Sequence, residues 1–195
     1  MNVPAAFLDR DGVLIAEQDG QLITAPEQLT ILPGTKEALS ILKTKGYTCL
    51  VVTNQAVVAR GIISETQLET IHHELNRQLG HRIDGFYYCV HHPHAQVKKY
   101  RQSCTCRKPK PGLFYQASCC HRVNLAQSIL IGDRLTDIAA GQNAGCRTTI
   151  LVGNTQGQIF TEEALHNITP TFHCADLLTA ALQAPIALPR SQTPA

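Results

Sequence analysis

The chain alternates short apolar runs with longer amphipathic stretches. The apolar runs predict β-strands, and several are continuous rather than alternating, which is typical of strands buried on both faces. Strands separated by helices indicate a parallel sheet covered by helices on both sides, an α/β fold. The predicted strands are Ala5–Leu8, Thr48–Val52, Gly85–Cys89, Ser128–Ile131, Thr148–Val152 and Thr171–His173.

The amphipathic stretches predict the helices between these strands. Thr35–Lys45 gathers its apolar residues on one face and stops at Gly46. Ser64–Leu79 starts with Ser64 and Gln67 in the spacing of a capping box, in which each side chain bonds the other residue's backbone. Further helices are predicted after Pro111, after Leu135 and at Thr161–His166.

Composition and charge exclude several classes of protein. Hydrophobic residues make up 44% of the 195 residues, which excludes global disorder, and a net charge of +2 argues against binding to nucleic acid or a membrane surface. We find no membrane-length apolar run and no signal-peptide pattern at the amino terminus. We therefore expect a cytoplasmic monomer with one domain at 1–183 and a flexible, proline-rich tail at 184–195. The eight cysteines should then stay reduced.

Polar side chains follow several of the predicted strands. Asp9 and Asp11 come directly after the first strand, and Gly12 lets the chain turn sharply there. Thr53 and Asp133 follow two later strands. Each of these residues alone fits a turn or a helix cap. Because ligands of parallel sheets bind beyond the carboxyl ends of the strands, together they predict a site at that edge.

A lysine between prolines completes a recognisable set of motifs. Lys108 lies in the sequence Arg-Lys-Pro-Lys-Pro. The set resembles the four motifs of the haloacid dehalogenase superfamily of phosphatases, in the right order. The resemblance implies a Rossmann-like α/β domain of the capless type, since a separate cap domain does not fit between the motifs. The motifs are Asp9-x-Asp11-Gly12, Thr53-Asn54-Gln55, Lys108 and Gly132-Asp133-x-x-x-Asp137.

The resemblance also implies a role for each residue. Asp9 would be a nucleophile that forms an aspartyl-phosphate, and Asp11 would be the general acid and then the general base. Thr53 and Lys108 would hold the phosphoryl oxygens. A catalytic Mg²⁺ would bind the carboxylates of Asp9 and Asp133 and the backbone carbonyl of Asp11.

A second cluster of candidate ligands lies in a long segment without helical or strand periodicity. Cys89 and His91 are separated by twelve residues from Cys104 and Cys106. Three thiols and one imidazole make a tetrahedral Zn²⁺ site, and metal would order this zinc loop, about residues 89–110. The alternative is a set of thiols without metal. The alternative imidazoles are His92 and His94.

The wider pattern around these cysteines resembles the heptose bisphosphate phosphatases of Gram-negative bacteria. The resemblance implies a structural Zn²⁺ and removal of the C7 phosphate of D-glycero-D-manno-heptose 1,7-bisphosphate, in ADP-heptose and lipopolysaccharide core biosynthesis. Arg107 would bind the second phosphate. The other substrate contacts implied are Arg10, Glu17, Asp19, Gly20, Asn54, Gln55 and Arg134. The pattern is Tyr87-Tyr88-Cys89-x-His91-His92-Pro93 followed by Cys104-x-Cys106-Arg107-Lys108-Pro109-Lys110-Pro111-Gly112.

Other functions and one residue role stay open. A histidinol-phosphate phosphatase or another small sugar-phosphate phosphatase would share this fold, although the former has a shorter segment between its zinc ligands. A polynucleotide 3′-phosphatase would need a basic groove. A non-enzymatic zinc module would require the acidic motifs to be coincidental. Ala56 and Val57 replace the serine and glycine of relatives, which leaves the sugar and its anomer open. Asp137 would either orient Lys108 or cap the helix that follows.

Overall fold

The structure is a computed structural model that describes residues 2–17, 22–153 and 168–187. All six predicted strands are present, with bounds within two residues of those predicted. They are β1 (Ala5–Leu8), β2 (Thr48–Asn54), β3 (Gly85–Cys89), β4 (Ile129–Gly132), β5 (Thr148–Val152) and β6 (Phe172–Cys174). They form one parallel sheet in the order β3-β2-β1-β4-β5-β6. The predicted parallel α/β fold is confirmed.

Helices connect the strands. Ser64 caps the long third helix as predicted: its Oγ accepts from Gln67 N at 3.2 Å, and its N–H donates to Gln67 Oε1 at 2.8 Å. None of the helices in the described ranges is both long and apolar enough to cross a membrane. The predicted helix Thr161–His166 lies outside the described residues. The helices are α1 (Thr35–Thr44), α2 (Ala56–Ala59), α3 (Glu65–Gln78), α4 (Gly112–His121), α5 (Leu135–Ala144) and α6 (Leu177–Gln183), with single 3₁₀ turns at Pro26–Gln28, Lys98–Tyr100 and Leu125–Gln127.

The core lies on both faces of the sheet. In β1, Ala6 and Leu8 face the layer that contains α1, α3 and α6, whereas Ala5 and Phe7 face the layer of α4 and α5. All four side chains are fully buried. Burial on both faces explains why the strand is apolar throughout rather than at every second position.

The strand order reverses at β1. From β1 the chain continues to β2 and β3, which extend the sheet toward one edge. The strands β4, β5 and β6 extend it from β1 toward the opposite edge. Such a switch point leaves a crevice beyond the carboxyl ends of the two adjacent strands, here β1 and β4. The acidic motifs that follow these two strands therefore meet at the place where open α/β sheets bind ligands.

The first residues of the predicted tail lie against the body of the protein. Tyr47 Oη donates to the carbonyl of Pro185 at 3.0 Å, and the N–H of Ala187 donates to the carbonyl of Lys45 at 3.0 Å. Ala184 is buried. The remainder of the predicted tail, from residue 188 onward, lies outside the described residues.

Candidate active site and cysteine cluster

Three carboxylates meet at the switch point. The N–H of Asp9 donates to the carbonyl of Ile131 at 3.0 Å, which ties the chain leaving β1 to β4. Asp9, Asp133 and Asp137 each offer an oxygen, and these oxygens all lie within 4.8 Å of one another. The expected convergence of Asp9 and Asp133 at one sheet edge is therefore present, and Asp137 joins them.

The approach of Asp133 depends on a glycine in the first motif. Gly12 has φ +75°, a left-handed conformation that side chains rarely adopt. A Cβ at this position would lie 2.3 Å from Asp133 Oδ2. Any other residue would therefore strain the turn after Asp9 and push Asp133 away from it.

Lys108 reaches the carboxylates from the zinc loop. Its side chain is buried, and its Nζ lies 2.9 Å from Asp9 Oδ1 and 2.6 Å from Asp137 Oδ1. The same Nζ donates to the carbonyl of Val52 at 2.9 Å. The side-chain amide of Asn54 holds the Lys108 backbone, accepting from its N–H at 3.1 Å and donating to its carbonyl at 3.2 Å. The lysine is thus held at both ends.

Asp137 combines the two roles that the sequence left open. Its Oδ2 accepts from the backbone N–H of Arg134 at 3.0 Å, next to the first turn of α5. Its Oδ1 pairs with Lys108. The residue therefore closes the start of the helix and, together with Asp9, orients the lysine.

The buried site holds three carboxylates and a single lysine, so its negative charge is only partly balanced. Burial, opposed by Lys108, raises the pKa of Asp9 to about 6. Burial and then the charges of Asp9 and Asp137 raise the pKa of Asp133 to about 8. Burial opposes the charge of Lys108, but Asp137 and Asp9 hold its pKa above its ordinary value. One lysine among three carboxylates leaves a site whose oxygen donors fit a hard divalent cation such as Mg²⁺.

Asp11 belongs to a separate hydrogen-bonded chain beside these acids. Arg10 is 2% exposed, and its Nη2 and Nε donate to the Asp11 carboxylate at 2.9 and 3.2 Å. Gln55 Nε2 donates to Asp11 Oδ2 and to Thr53 Oγ1, both at 2.9 Å. Three of the predicted residues, Asp11, Thr53 and Gln55, are thus joined directly, while the guanidinium of Arg10 is directed at Asp11.

The remaining predicted substrate contacts lie around this centre or outside the described residues. Arg107 Nη1 donates to the carbonyl of His91 at 3.3 Å. Arg134 pairs with Glu17, and both side chains are about half exposed. Arg134 and Glu17 form a polar rim next to Asp133. Asp19 and Gly20 lie outside the described residues.

The zinc loop brings its four predicted ligands together. Cys106 Sγ lies 3.1 Å from Cys89 Sγ and 3.3 Å from Cys104 Sγ, and Cys89 and Cys104 are 3.6 Å apart. His91 Nδ1 lies 3.3 Å from Cys106 Sγ. None of these sulfur pairs is near the ~2.05 Å of a disulfide. The other candidate, His92, instead accepts from the N–H of His94 at 3.1 Å.

This donor set fits a Zn²⁺ ion. A tetrahedron with Zn–S bonds of ~2.3 Å has edges of about 3.8 Å, and the sulfurs, now 3.1–3.6 Å apart, would have to move apart slightly to take the ion. Burial raises the pKa of the Cys89 thiol and of the Cys106 thiol, so a cation would be needed to stabilise their thiolates. Four protein donors leave no open coordination position, which is the arrangement of structural rather than catalytic zinc.

The cysteine cluster and the carboxylates are connected through two consecutive residues. Cys106 is followed by Arg107 and Lys108. The cluster begins at Cys89, the last residue of β3, so it is attached to the sheet at one end and to Lys108 at the other. Order in the cluster therefore bears directly on the position of the lysine among the carboxylates.

One residue of this site has no signal in the sequence. His72 lies in α3, and its Nε2 is 3.3 Å from Arg10 Nη1. It is 62 positions away from Arg10 along the chain, and its helix carries no ligand-like spacing. Only the packing of α3 against the sheet brings the imidazole to the first motif.

The comparisons with known proteins agree with this geometry. A family model described as "HAD-hyrolase-like" matches residues 105–180. The chain is similar to D,D-heptose 1,7-bisphosphate phosphatase from B. bronchiseptica, whose structure was solved with magnesium and phosphate. The TM-score is 0.76 at 31% identity, covering 92% of this chain and 97% of that one.

Two curated relatives are more similar in sequence. D-glycero-beta-D-manno-heptose-1,7-bisphosphate 7-phosphatase of Escherichia coli O6:H1 is 36% identical over 198 residues, covering 100% of this chain and 98% of that protein. The protein of the same name from Haemophilus ducreyi is 40% identical over 156 residues, covering 78% and 84%. The chain therefore belongs to the family of D-glycero-beta-D-manno-heptose-1,7-bisphosphate 7-phosphatases.

Proposed function

We propose that this protein is a magnesium-dependent phosphatase that removes the C7 phosphate of D-glycero-D-manno-heptose 1,7-bisphosphate. The observation that carries the proposal is the pairing of Asp9 with Lys108 at 2.9 Å, beside Asp133, at the switch point of the sheet. A carboxylate just beyond the carboxyl end of β1 lies where parallel sheets bind ligands, and a buried lysine next to it can neutralise phosphoryl oxygens as charge develops.

The reaction runs in two steps. Asp9 attacks phosphorus and forms an aspartyl-phosphate, while Asp11 gives a proton to the sugar oxygen that leaves. Asp11 then takes a proton from water, and that water releases phosphate and restores the Asp9 carboxylate. The contact of Gln55 with both Asp11 and Thr53 supports a shared orientation for the acid and the hydroxyl.

The metals have separate tasks in this proposal. Asp9, Asp133 and the backbone carbonyl of Asp11 would hold Mg²⁺, which when bound offsets the repulsion between an anionic nucleophile and an anionic phosphate. Cys89, His91 and their two partner cysteines would hold Zn²⁺, which keeps the zinc loop in place. A zinc ion held by these four residues would take no part in the chemistry, because no coordination position would be left for substrate or water.

The rim of the crevice recognises the rest of the substrate. Arg107 binds the phosphate that is retained, because its planar guanidinium can take two phosphate oxygens. Arg134 and Glu17 contact the sugar or its phosphate, whereas the side-chain amide of Asn54 is engaged by the Lys108 backbone. Thiols stay reduced in the cytoplasm, where we place the enzyme, as a monomer acting in ADP-heptose and lipopolysaccharide core biosynthesis.

A substrate screen tests the assignment. Phosphate release is measured with the purified, zinc-loaded protein and Mg²⁺ on both anomers of the heptose 1,7-bisphosphate, on sugar monophosphates and on histidinol phosphate. We expect the highest kcat/KM for one anomer of the bisphosphate, with ³¹P NMR showing a 1-phosphate product. A higher kcat/KM for histidinol phosphate, or a 7-phosphate product, would contradict the proposal.

A further inference from the structure

The side chain of Arg10 is committed in two directions. Toward the crevice, its Nη2 and Nε donate to the carboxylate of Asp11. Toward the interior, its Nη1 lies 3.3 Å from His72 Nε2. The arginine is 2% exposed and His72 is 3% exposed, so bulk water does not compete for the contact between them. Because one buried guanidinium contacts both groups, a shift of the imidazole allows the carboxylate to shift as well.

The contact fixes the protonation of the imidazole. A guanidinium has donors and no acceptor, so Nε2 of His72 must accept, which places the single proton on Nδ1. His72 Nδ1 is buried and has no hydrogen-bond partner among the described residues. Burial, and then the charge of Arg10, lowers the pKa of His72 to about 3, which agrees with a neutral ring. The residue therefore works as an acceptor, not as a proton carrier.

The imidazole is itself held firmly. Its ring stacks on Phe86 of β3 with a centroid distance of 4.7 Å and an interplanar angle of 13°. Tyr88 packs against it at 5.4 Å. An apolar side chain would pack here equally well and would avoid burying an unpaired Nδ1–H. What an apolar side chain lacks is the acceptor for Arg10.

We propose that His72 is a positioning residue for the acid and base of the reaction: its Nε2 anchors Arg10, and Arg10 holds the Asp11 carboxylate at the substrate's leaving oxygen. The inference rests on the proposed function, because it needs Asp11 to deliver a proton. Loss of the anchor frees the guanidinium to rotate and leaves Gln55 to hold the Asp11 carboxylate from one side, so the carboxylate can shift. A displacement of about 1 Å costs up to ~100-fold in rate.

Two substitutions separate the acceptor from the packing. His72→Phe keeps an aromatic ring against Phe86 and removes the acceptor. His72→Gln removes the ring and keeps an amide oxygen near the place of Nε2. The matched control is His73→Phe, which makes the same change at the exposed neighbour on α3. All three variants are checked for zinc content and melting temperature before kinetics.

The readout is kcat/KM for two substrates with different leaving groups. It covers the steps through release of the alcohol and excludes hydrolysis of the phosphoenzyme. The heptose bisphosphate releases an alkoxide that must be protonated, whereas p-nitrophenyl phosphate releases a stable phenolate. We expect His72→Phe to lose about tenfold on the heptose bisphosphate and less than about twofold on p-nitrophenyl phosphate. His72→Gln should recover most of that loss, and His73→Phe should match the wild type.

Other relative losses on the two substrates contradict either the role of His72 or the role of Asp11. If His72→Phe falls equally on both substrates, or if His72→Gln is the more impaired variant, the residue serves packing and the inference is wrong. Asp11→Asn is measured in parallel. If it too loses equally on both substrates, the proposed role of Asp11 fails; if it shows the split and His72→Phe does not, only the inference fails. His72→Leu replaces His72→Phe if the latter does not fold.

Discussion

The carboxylate cluster and the cysteine cluster are both candidate metal centres, but they are built differently. The carboxylates follow β1 and β4 or lie in α5, so the sheet holds them, and Lys108 already offsets part of their charge. The cysteines lie in the zinc loop, where only Cys89 belongs to a strand. Their three sulfurs lie 3.1–3.6 Å from one another. As thiolates they would repel one another, so a bound cation is needed to stabilise them.

This difference separates a centre that the fold positions from one that a metal must complete. Removing Mg²⁺ should leave the carboxylates in place, because strands and a salt bridge hold them. Removing Zn²⁺ should release a long segment that has little regular structure of its own. Because Lys108 belongs to both regions, damage to the zinc loop should reach the chemistry, whereas damage to the carboxylates should not reach the zinc.

The largest effect should come from the nucleophile. Asp9→Asn keeps the shape of the side chain and removes the negative charge that attacks phosphorus, so we expect turnover to fall by at least ~10⁴-fold. Circular dichroism and zinc content should stay as in the wild type. Activity within tenfold of the wild type would exclude Asp9 as the nucleophile. Loss of zinc from this variant would break the proposed independence of the two regions.

The next effect concerns the cysteine cluster. Cys104→Ser should release the zinc and let the loop fluctuate, so that Lys108 no longer keeps its place and kcat falls about 100-fold. The melting temperature should fall with it. Cys119→Ser makes the same change at an exposed cysteine of α4 and should alter neither. A Cys104→Ser variant with normal melting and turnover would show that the four residues do not form a structural zinc site.

Chelation sharpens the same contrast without mutation. Brief treatment with EDTA should remove Mg²⁺ first, because a cation held by a few carboxylates and waters exchanges more readily than one in a closed thiolate site. Activity should then stop with the melting temperature nearly unchanged, and added Mg²⁺ alone should restore it. Full activity in excess EDTA would exclude the proposed divalent-cation mechanism.

The smallest effect concerns stability at acid pH. It arises at His72, which is buried beside the carboxylate cluster. The pKa of His72 is lowered from 6.5 to about 3 in the folded chain, with Arg10, His73 and Tyr88 as its charged or titratable neighbours. The unfolded chain therefore binds a proton below pH 6.5 that the folded chain does not, and stability falls as the pH falls toward 3. At pH 5 this loss amounts to ~2 kcal/mol, which His72→Phe should avoid.

Urea denaturation at pH 7 and pH 5 measures that loss. The free energy of unfolding of the wild type should decrease more between the two pH values than that of His72→Phe. His73→Phe should stay close to the wild type, because His73 is the smallest of the three causes of the lowered pKa of His72. Equal decreases in the wild type and His72→Phe would mean that the imidazole is not kept neutral by its surroundings.

Several elements follow from local patterns, but two short helices, α2 and α6, are not among the predicted elements. The strands are buried on both faces and therefore read as continuous apolar runs, and the capping box of Ser64 marks the start of α3. The helix α2 has only four residues, too few for a helical period to show, although Val57 and Val58 are buried in it. The start of α6 did carry a signal, since the side chain of Asp176 accepts from Thr179 N at 2.7 Å.

Local patterns in the chain are enough to show which residues follow which strands, and hence that Asp9, Thr53 and Asp133 share one edge of a parallel sheet. The two short clips Cys89-x-His91 and Cys104-x-Cys106 are likewise visible in the chain and mark the candidate zinc ligands. Tertiary packing, by contrast, makes Asp137 both close the start of α5 and orient Lys108, and makes Arg10 bridge Asp11 and His72. Such contacts depend on how a helix packs against the sheet, and packing across many intervening residues leaves no periodic trace in the chain.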